Sequence, residues 1–117
     1  MKKELLEQAL DQINFEFESS YLYLSMSTWA ADNGYPGTAK WMDKQAEEEI
    51  SHGKKMMHFL QEVNERVLLK PIAAVPTDFP GFMDLFKLSL EHEKKATARI
   101  NALYEAALAE KNYPMAN

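Results

Sequence analysis

The chain has 117 residues, enough for one domain with a modest core of its own. Its hydrophobic share of 46% is ordinary for a globular protein, and the absence of cysteine excludes disulfides, thiolate metal sites and thiol catalysis. A net charge of -5 argues against nucleic-acid binding and favours attraction of cations. No apolar run approaches a membrane span, and Met1-Lys2-Lys3-Glu4 opens a charged helix rather than a secretory leader, so no membrane partner is expected.

Residues 3–32 read as a first helix, to within about two to four residues at either end. Asn33-Gly34 supplies a stop, Pro36 opens the next element, and residues 37–64 read as a second helix. Residues 65–79 break the helical pattern with Pro71 and Pro76, and Val67-Leu68-Leu69 looks extended. Asp78 followed by Pro80 reads as a helix start, and residues 81–111 as a third helix ending near Asn112-Tyr113-Pro114. The short first turn makes helices one and two antiparallel neighbours. A connection of about 15 residues reaches roughly 50 Å when extended, more than the roughly 42 Å of a 28-residue helix. It can therefore run the length of a bundle and set the third helix parallel to the second, which separates a ferritin-like bundle from an up-down one. The apolar content of this connection (Val67, Leu68, Leu69, Ile72, Val75) predicts that it packs down.

Three carboxylates stand on apolar stripes. At about 100° per residue, Glu16 shares a face with Leu5, Ala9, Ser20, Tyr23, Ser27 and Ala30. Glu49 shares one with Met42, Gln45, Gly53, Met56, Leu60 and Val63, and Glu93 with Phe82, Phe86, Ser89, Thr97, Ile100 and Tyr104. A carboxylate centred on a core-facing stripe must be paired, protonated or metal-bound. Glu49-Ile50-Ser51-His52 adds a Glu-x-x-His pair on one helix face, a recurring element of carboxylate-bridged metal sites in helix bundles. Counting rises along the helices puts Glu16 and Glu49 within roughly one turn of the same level. Four groups from three helices, Glu16, Glu49, His52 and Glu93, are thus expected to converge. Carboxylate oxygens with one imidazole suit iron, manganese or zinc better than copper(I). His58 and His92 sit beside no core carboxylate in this way, Glu47 and Glu48 read as a solvated charge run with Glu48 an alternative accessory metal ligand, and the seven methionines read as core filler.

The segments Asn14-Phe15-Glu16-Phe17-Glu18-Ser19-Ser20-Tyr21-Leu22-Tyr23-Leu24-Ser25-Met26-Ser27 and Trp41-Met42-Asp43-Lys44-Gln45-Ala46-Glu47-Glu48-Glu49-Ile50-Ser51-His52, with Leu90-Glu91-His92-Glu93, resemble the non-haem ferritins over essentially the whole chain. The resemblance implies an all-α, ferritin-like di-iron domain over residues 1–117, in a cytoplasmic protein. It implies a ferroxidase centre in which Glu16 and His52 hold the first iron, Glu49 bridges two irons and Glu93 serves the second. Tyr23 matches the family tyrosine beside the centre. The implied reaction is oxidation of Fe(II) by dioxygen or peroxide, followed by deposition of ferric mineral; other divalent metals may substitute for iron. Haem-binding bacterioferritins place a methionine directly after the bridging glutamate, where this chain has Ile50. The DNA-protecting miniferritins use a different histidine and aspartate pattern. A di-iron peroxidase of the rubrerythrin kind usually needs an extra core glutamate and often a cysteine-bound iron.

In the family a fourth long helix carries further second-iron ligands. This chain ends about where it should begin, so that helix is expected to be missing or supplied by another chain. The alternative reading is a truncated or rearranged ferritin scaffold that binds metal or self-assembles without effective turnover. Phe15, Leu22 and Trp29 form a second stripe, roughly 100–140° from Glu16. Ferritins bury this flank against a two-fold partner, so the expected partner is a homo-oligomer, a dimer at least and in the family a 24-subunit cage.

Overall fold

A computed structural model describes residues 1–117 as three long helices, α1 (Lys3–Asp32), α2 (Pro36–Glu62) and α3 (Phe82–Ala109), and a final helical turn, α4 (Tyr113–Ala116). There is no strand. At the end of α1, the backbone N–H and side-chain amide of Asn33 both donate to the Trp29 carbonyl, at 3.0 and 2.8 Å. Gly34 then turns the chain at φ +83°, a left-handed conformation that glycine adopts without steric cost. Pro36 sits in the first turn of α2, where its missing N–H has no helical partner to lose. The short reversal makes α1 and α2 antiparallel.

The connection from Val63 to Gly81 climbs the outside of α1. Lys70 contacts Glu7 and Asp11, Asn14 Nδ2 donates to the Pro71 carbonyl, Ser25 Oγ donates to the Pro76 carbonyl, and Phe79 packs edge-on against Trp29. Phe79 therefore lies some twenty α1 residues above Lys70, roughly 30 Å at helical rise, which nine extended residues just span. The chain arrives at the same end as the start of α2, where Phe82 meets Tyr35 and Phe86 meets Trp41. Helix α3 is parallel to α2, as the long-crossover topology requires.

Polar clips hold this crossover more than its apolar residues do. Val67 and Val75 are half-buried, but Leu68, Leu69 and Ile72 face solvent. The start of α3 also differs from expectation. Asp78 caps nothing; the N-cap is Gly81 and the first turn carries Asp84. Phe79 must first reach the core, and Pro80 keeps it out of helical conformation, so the helix waits until both are passed.

Two apolar clusters make up the core. One, at the start of α1, joins Leu5, Ala9, Leu10 and Ile13 to Leu60, Leu103 and Ala107. The other, at the far end, joins Tyr23, Met26 and Ala30 to Met42, Ala46, Phe79 and Leu85. Between them lies a buried polar belt of Gln12, Glu16, Ser19, Ser20, Glu49 and Ser89.

The buried line of α3 is Leu85, Ser89, Leu103 and Ala107; of the stripe through Glu93 only Ser89 is buried. Phe86, Glu93, Thr97, Ile100 and Tyr104 are exposed. One flank of α3 packs on α1, and nothing in the chain covers the other. The Phe15–Leu22–Trp29 stripe is conversely covered from within. Phe15 is buried against His92 and Arg99 of α3, Trp29 packs on Phe79 and Tyr35, and Leu22 is half-buried. No helix is long and apolar enough to cross a membrane.

Candidate metal centre

The belt brings α1 and α2 close together. Gly53 faces Phe17 so tightly that an added Cβ would stand 2.8 Å from Phe17 Cε1. Three residues below Glu49 in sequence, Ala46 offers its carbonyl to Ser20 Oγ at 2.8 Å. This approach presses Glu16 of α1 against Glu49 and His52 of α2. One ligand atom from each of the three lies within 4.8 Å of the others. His52 Nδ1 is 3.8 Å from Glu16 Oε2 and 3.9 Å from Glu49 Oε2. The two carboxylates are buried, while the His52 side chain is 60% exposed and closes the group from the solvent side.

The two oxygens of Glu16 are treated differently. Oε1 accepts a hydrogen bond from Gln12 Nε2 at 3.0 Å. Oε2 is buried with no hydrogen-bond partner and faces Glu49 and His52. A buried anionic oxygen without a donor is costly, and a cation in the group would satisfy it. Glu49 carries the same mark. Burial above all pushes its carboxyl up to about 9, and the neighbouring Glu16, then the charges of Glu93 and Glu48, push the same way. In the metal-free protein Glu49 thus keeps its proton at neutral pH, and a divalent cation would displace it. The donor set fits a borderline cation such as Fe(II), Mn(II) or Zn(II).

Glu93 does not join this group. It is exposed on α3 and tied to the belt through Tyr23, whose hydroxyl donates to Glu93 Oε1 at 2.8 Å. Tyr23 is wholly buried, and burial first, then its bond to Glu93, raises its hydroxyl above the ordinary range. It is a neutral donor at any physiological pH. So the structure gathers Glu16, Glu49 and His52, and holds Tyr23 and Glu93 one hydrogen bond to the side.

Gln12 and Arg99 escaped the sequence reading, and His92, which it set aside, packs beside the belt. Gln12 is buried and bonds Glu16; its place four residues before Glu16 on the same helix face was the available signal. His92 stacks on Phe15 at 4.9 Å, hydrogen-bonds Ser19 Oγ and meets the Tyr23 ring edge-on, and burial lowers its pKa. Arg99 donates from Nε to Gln12 Oε1 at 3.2 Å. No local pattern links Arg99 to a residue 87 positions earlier.

Comparison with known proteins agrees with this architecture. Residues 6–117 match the ferritin-like domain family. A probable bacterial non-heme ferritin-like protein of Haemophilus influenzae is 36% identical over 107 residues, covering 92% of this chain and 65% of that protein. The bacterial non-heme ferritin of Campylobacter jejuni is 34% identical over 117 residues, covering all of this chain and 70% of that protein. This chain thus spans about two thirds of the length of these relatives. An open pore ferritin from the hyperthermophilic archaeon Archaeoglobus fulgidus superposes with a TM-score of 0.97 at 35% identity, over all of this chain and 71% of that one. With its helices, its crossover and nearly its full length accounted for, the chain belongs to the ferritin-like family.

Proposed function

We propose that this chain is the iron-handling part of a non-haem ferritin, binding Fe(II) and oxidising it for storage and detoxification. Fe(II) is the substrate. Glu16 and His52 would take the first ion, and Glu49, its proton displaced to solvent, would bridge it to a second. Glu93, held by Tyr23, serves that second ion from α3. Two neighbouring Fe(II) ions can give up two electrons together to dioxygen or to hydrogen peroxide, which takes up two protons as it is reduced. The observation that carries this reading is the gathering of two buried carboxylates, Glu16 and Glu49, with the open His52, their ligand atoms within 4.8 Å of one another. The names of the relatives support iron storage. The proposed assembly is a cytoplasmic homo-oligomer, a dimer at least and, by the family resemblance, a 24-subunit cage.

Oxygen uptake and growth of ferric absorbance after Fe(II) addition test the proposal. A Glu49→Ala chain should lose both; oxidation at the parent rate would refute the bridging role.

A second reading is a ferritin scaffold that binds metal without effective turnover. The place of Glu93, outside the gathered ligands, favours it. It predicts one tightly bound ion per chain and oxygen uptake no faster than in buffer, whereas saturable binding of two ions would reject it.

A further inference from the structure

We propose that Arg99 and Gln12 are positioning residues that fix which oxygen of Glu16 faces the metal; this inference rests on the metal-centre reading above. The relay is Arg99 Nε to Gln12 Oε1 at 3.2 Å, then Gln12 Nε2 to Glu16 Oε1 at 3.0 Å. Its direction is forced by chemistry. A guanidinium only donates, so the Gln12 carbonyl must face Arg99. The amide nitrogen of Gln12 must then face Glu16, and it too only donates. Glu16 Oε1 is held as an acceptor, and Oε2 is left aimed at Glu49 and His52.

The far end of the relay is itself anchored. Arg99 Nη2 donates to the Asp11 carbonyl at 3.3 Å, and the guanidinium lies over the Phe15 ring, 4.5 Å from its centroid. No carboxylate pairs with Arg99, so its charge is not spent on a salt bridge. Phe15 is held from its other neighbour on α3, His92, by stacking at 4.9 Å. Gln12 is 2% exposed, whereas Arg99 lines a cavity of about 420 Å³ between α1, α3 and the crossover. The relay thus runs from the outer surface of the bundle to a ligand on its inner belt. Without Arg99 the Gln12 amide is free to turn over and point its oxygen at Glu16, which would set two acceptors against each other and turn the carboxylate off the metal.

Co(II) is a suitable probe, because calorimetry reads its affinity and its visible absorption reads ligand geometry. Arg99→Met keeps the stem over Phe15 and removes the donor; Gln12→Leu removes the link itself. Loss of such an outer partner typically weakens metal binding about 10–100-fold. Each variant should weaken Co(II) binding to that extent and change the band shape. The double variant should be no worse than Gln12→Leu alone, since both cut one relay. Parent affinity in Arg99→Met, or losses that multiply in the double variant, would overturn the proposal. Arg99 is half-exposed, so Arg99→Met remains informative if Gln12→Leu does not fold. The Gln12 side-chain amide in the metal-free protein gives an independent readout by NMR. It should be protected from exchange in the parent and lose that protection in Arg99→Met; equal protection in both overturns the relay. If the parent binds no Co(II), the metal-centre reading fails, and the amide signal still decides the relay.

Discussion

The hydroxyl of Tyr23, wholly buried on α1, donates to Glu93 on α3 at 2.8 Å, although Glu93 is exposed. A carboxylate open to water is thereby tied to the buried belt. Tyr23→Phe should release Glu93 into solvent. The expected loss of stability is about 1 kcal/mol, since water can replace the missing bond. Fe(II) oxidation should slow several-fold while binding of the first ion is unchanged. Thermal melts and calorimetry beside an oxygen electrode check the split between the two effects.

The raised carboxyl of Glu49 sets a pH dependence with a definite sign. In the folded, metal-free chain it holds its proton up to about 9, against 4.5 ordinarily. Over that window the folded state binds more protons than the unfolded state, so the metal-free protein should lose stability as pH rises. Metal affinity should climb across the same window, because less proton has to be displaced. Melting temperatures of chelator-treated protein at intervals from pH 5 to 9 measure the first effect. Glu49→Gln should flatten the curve; an unchanged slope in that variant would assign the effect to another group.

Gly53 lets α2 pass close to Phe17 of α1. Gly53→Ala gains helix propensity of about 1 kcal/mol but drives a methyl into Phe17 at 2.8 Å. Overpacking of this kind costs about 1–3 kcal/mol, so a net loss of stability is expected. Metal affinity should fall with it, since His52 is the neighbouring residue. Adding Phe17→Leu should recover both, and denaturant titration of the single and double variants tests this.

The open flank of α3 predicts self-association. Leu90 is 58% exposed, Ile100 44% and Tyr104 48%. Several large apolar side chains exposed on one helix are seldom left bare. The 117-residue chain should sediment as an oligomer at micromolar concentration, and Leu90→Lys with Ile100→Lys should lower its mass. A parent chain that stays monomeric would show that this exposure is tolerated.

Much of the fold was legible because the long helices are strongly periodic and their stops are chemically explicit. Asn33-Gly34 and Pro36 mark the first reversal within a residue of where it occurs, and the crossover length fixes the parallel third helix. Glu16, Glu49 and His52 could be found because both carboxylates sit on faces that the chain itself buries. The expected burial of the stripe through Glu93 failed for the same reason. That stripe has the composition of a buried face, but periodicity reports what a face could pack against, not whether a partner is present. The crossover residues Leu68, Leu69 and Ile72 misled likewise, since apolar character does not fix the direction of an extended chain. Gln12–Arg99 could not be read at all, because such a pair depends on which turns of α1 and α3 lie level.

The polar belt divides the hydrophobic interior into two half-cores in series, joined by the continuous backbones of α1, α2 and α3. Neither half reinforces the other through apolar contact across the belt. Without a cation the mid-bundle layer is the weakest joint, and opening there need not melt either end. A metal bridging α1 to α2 would act as a rivet at that joint. Loading the site would then do more than position substrate: it would fuse two units that unfold separately into one that unfolds at once.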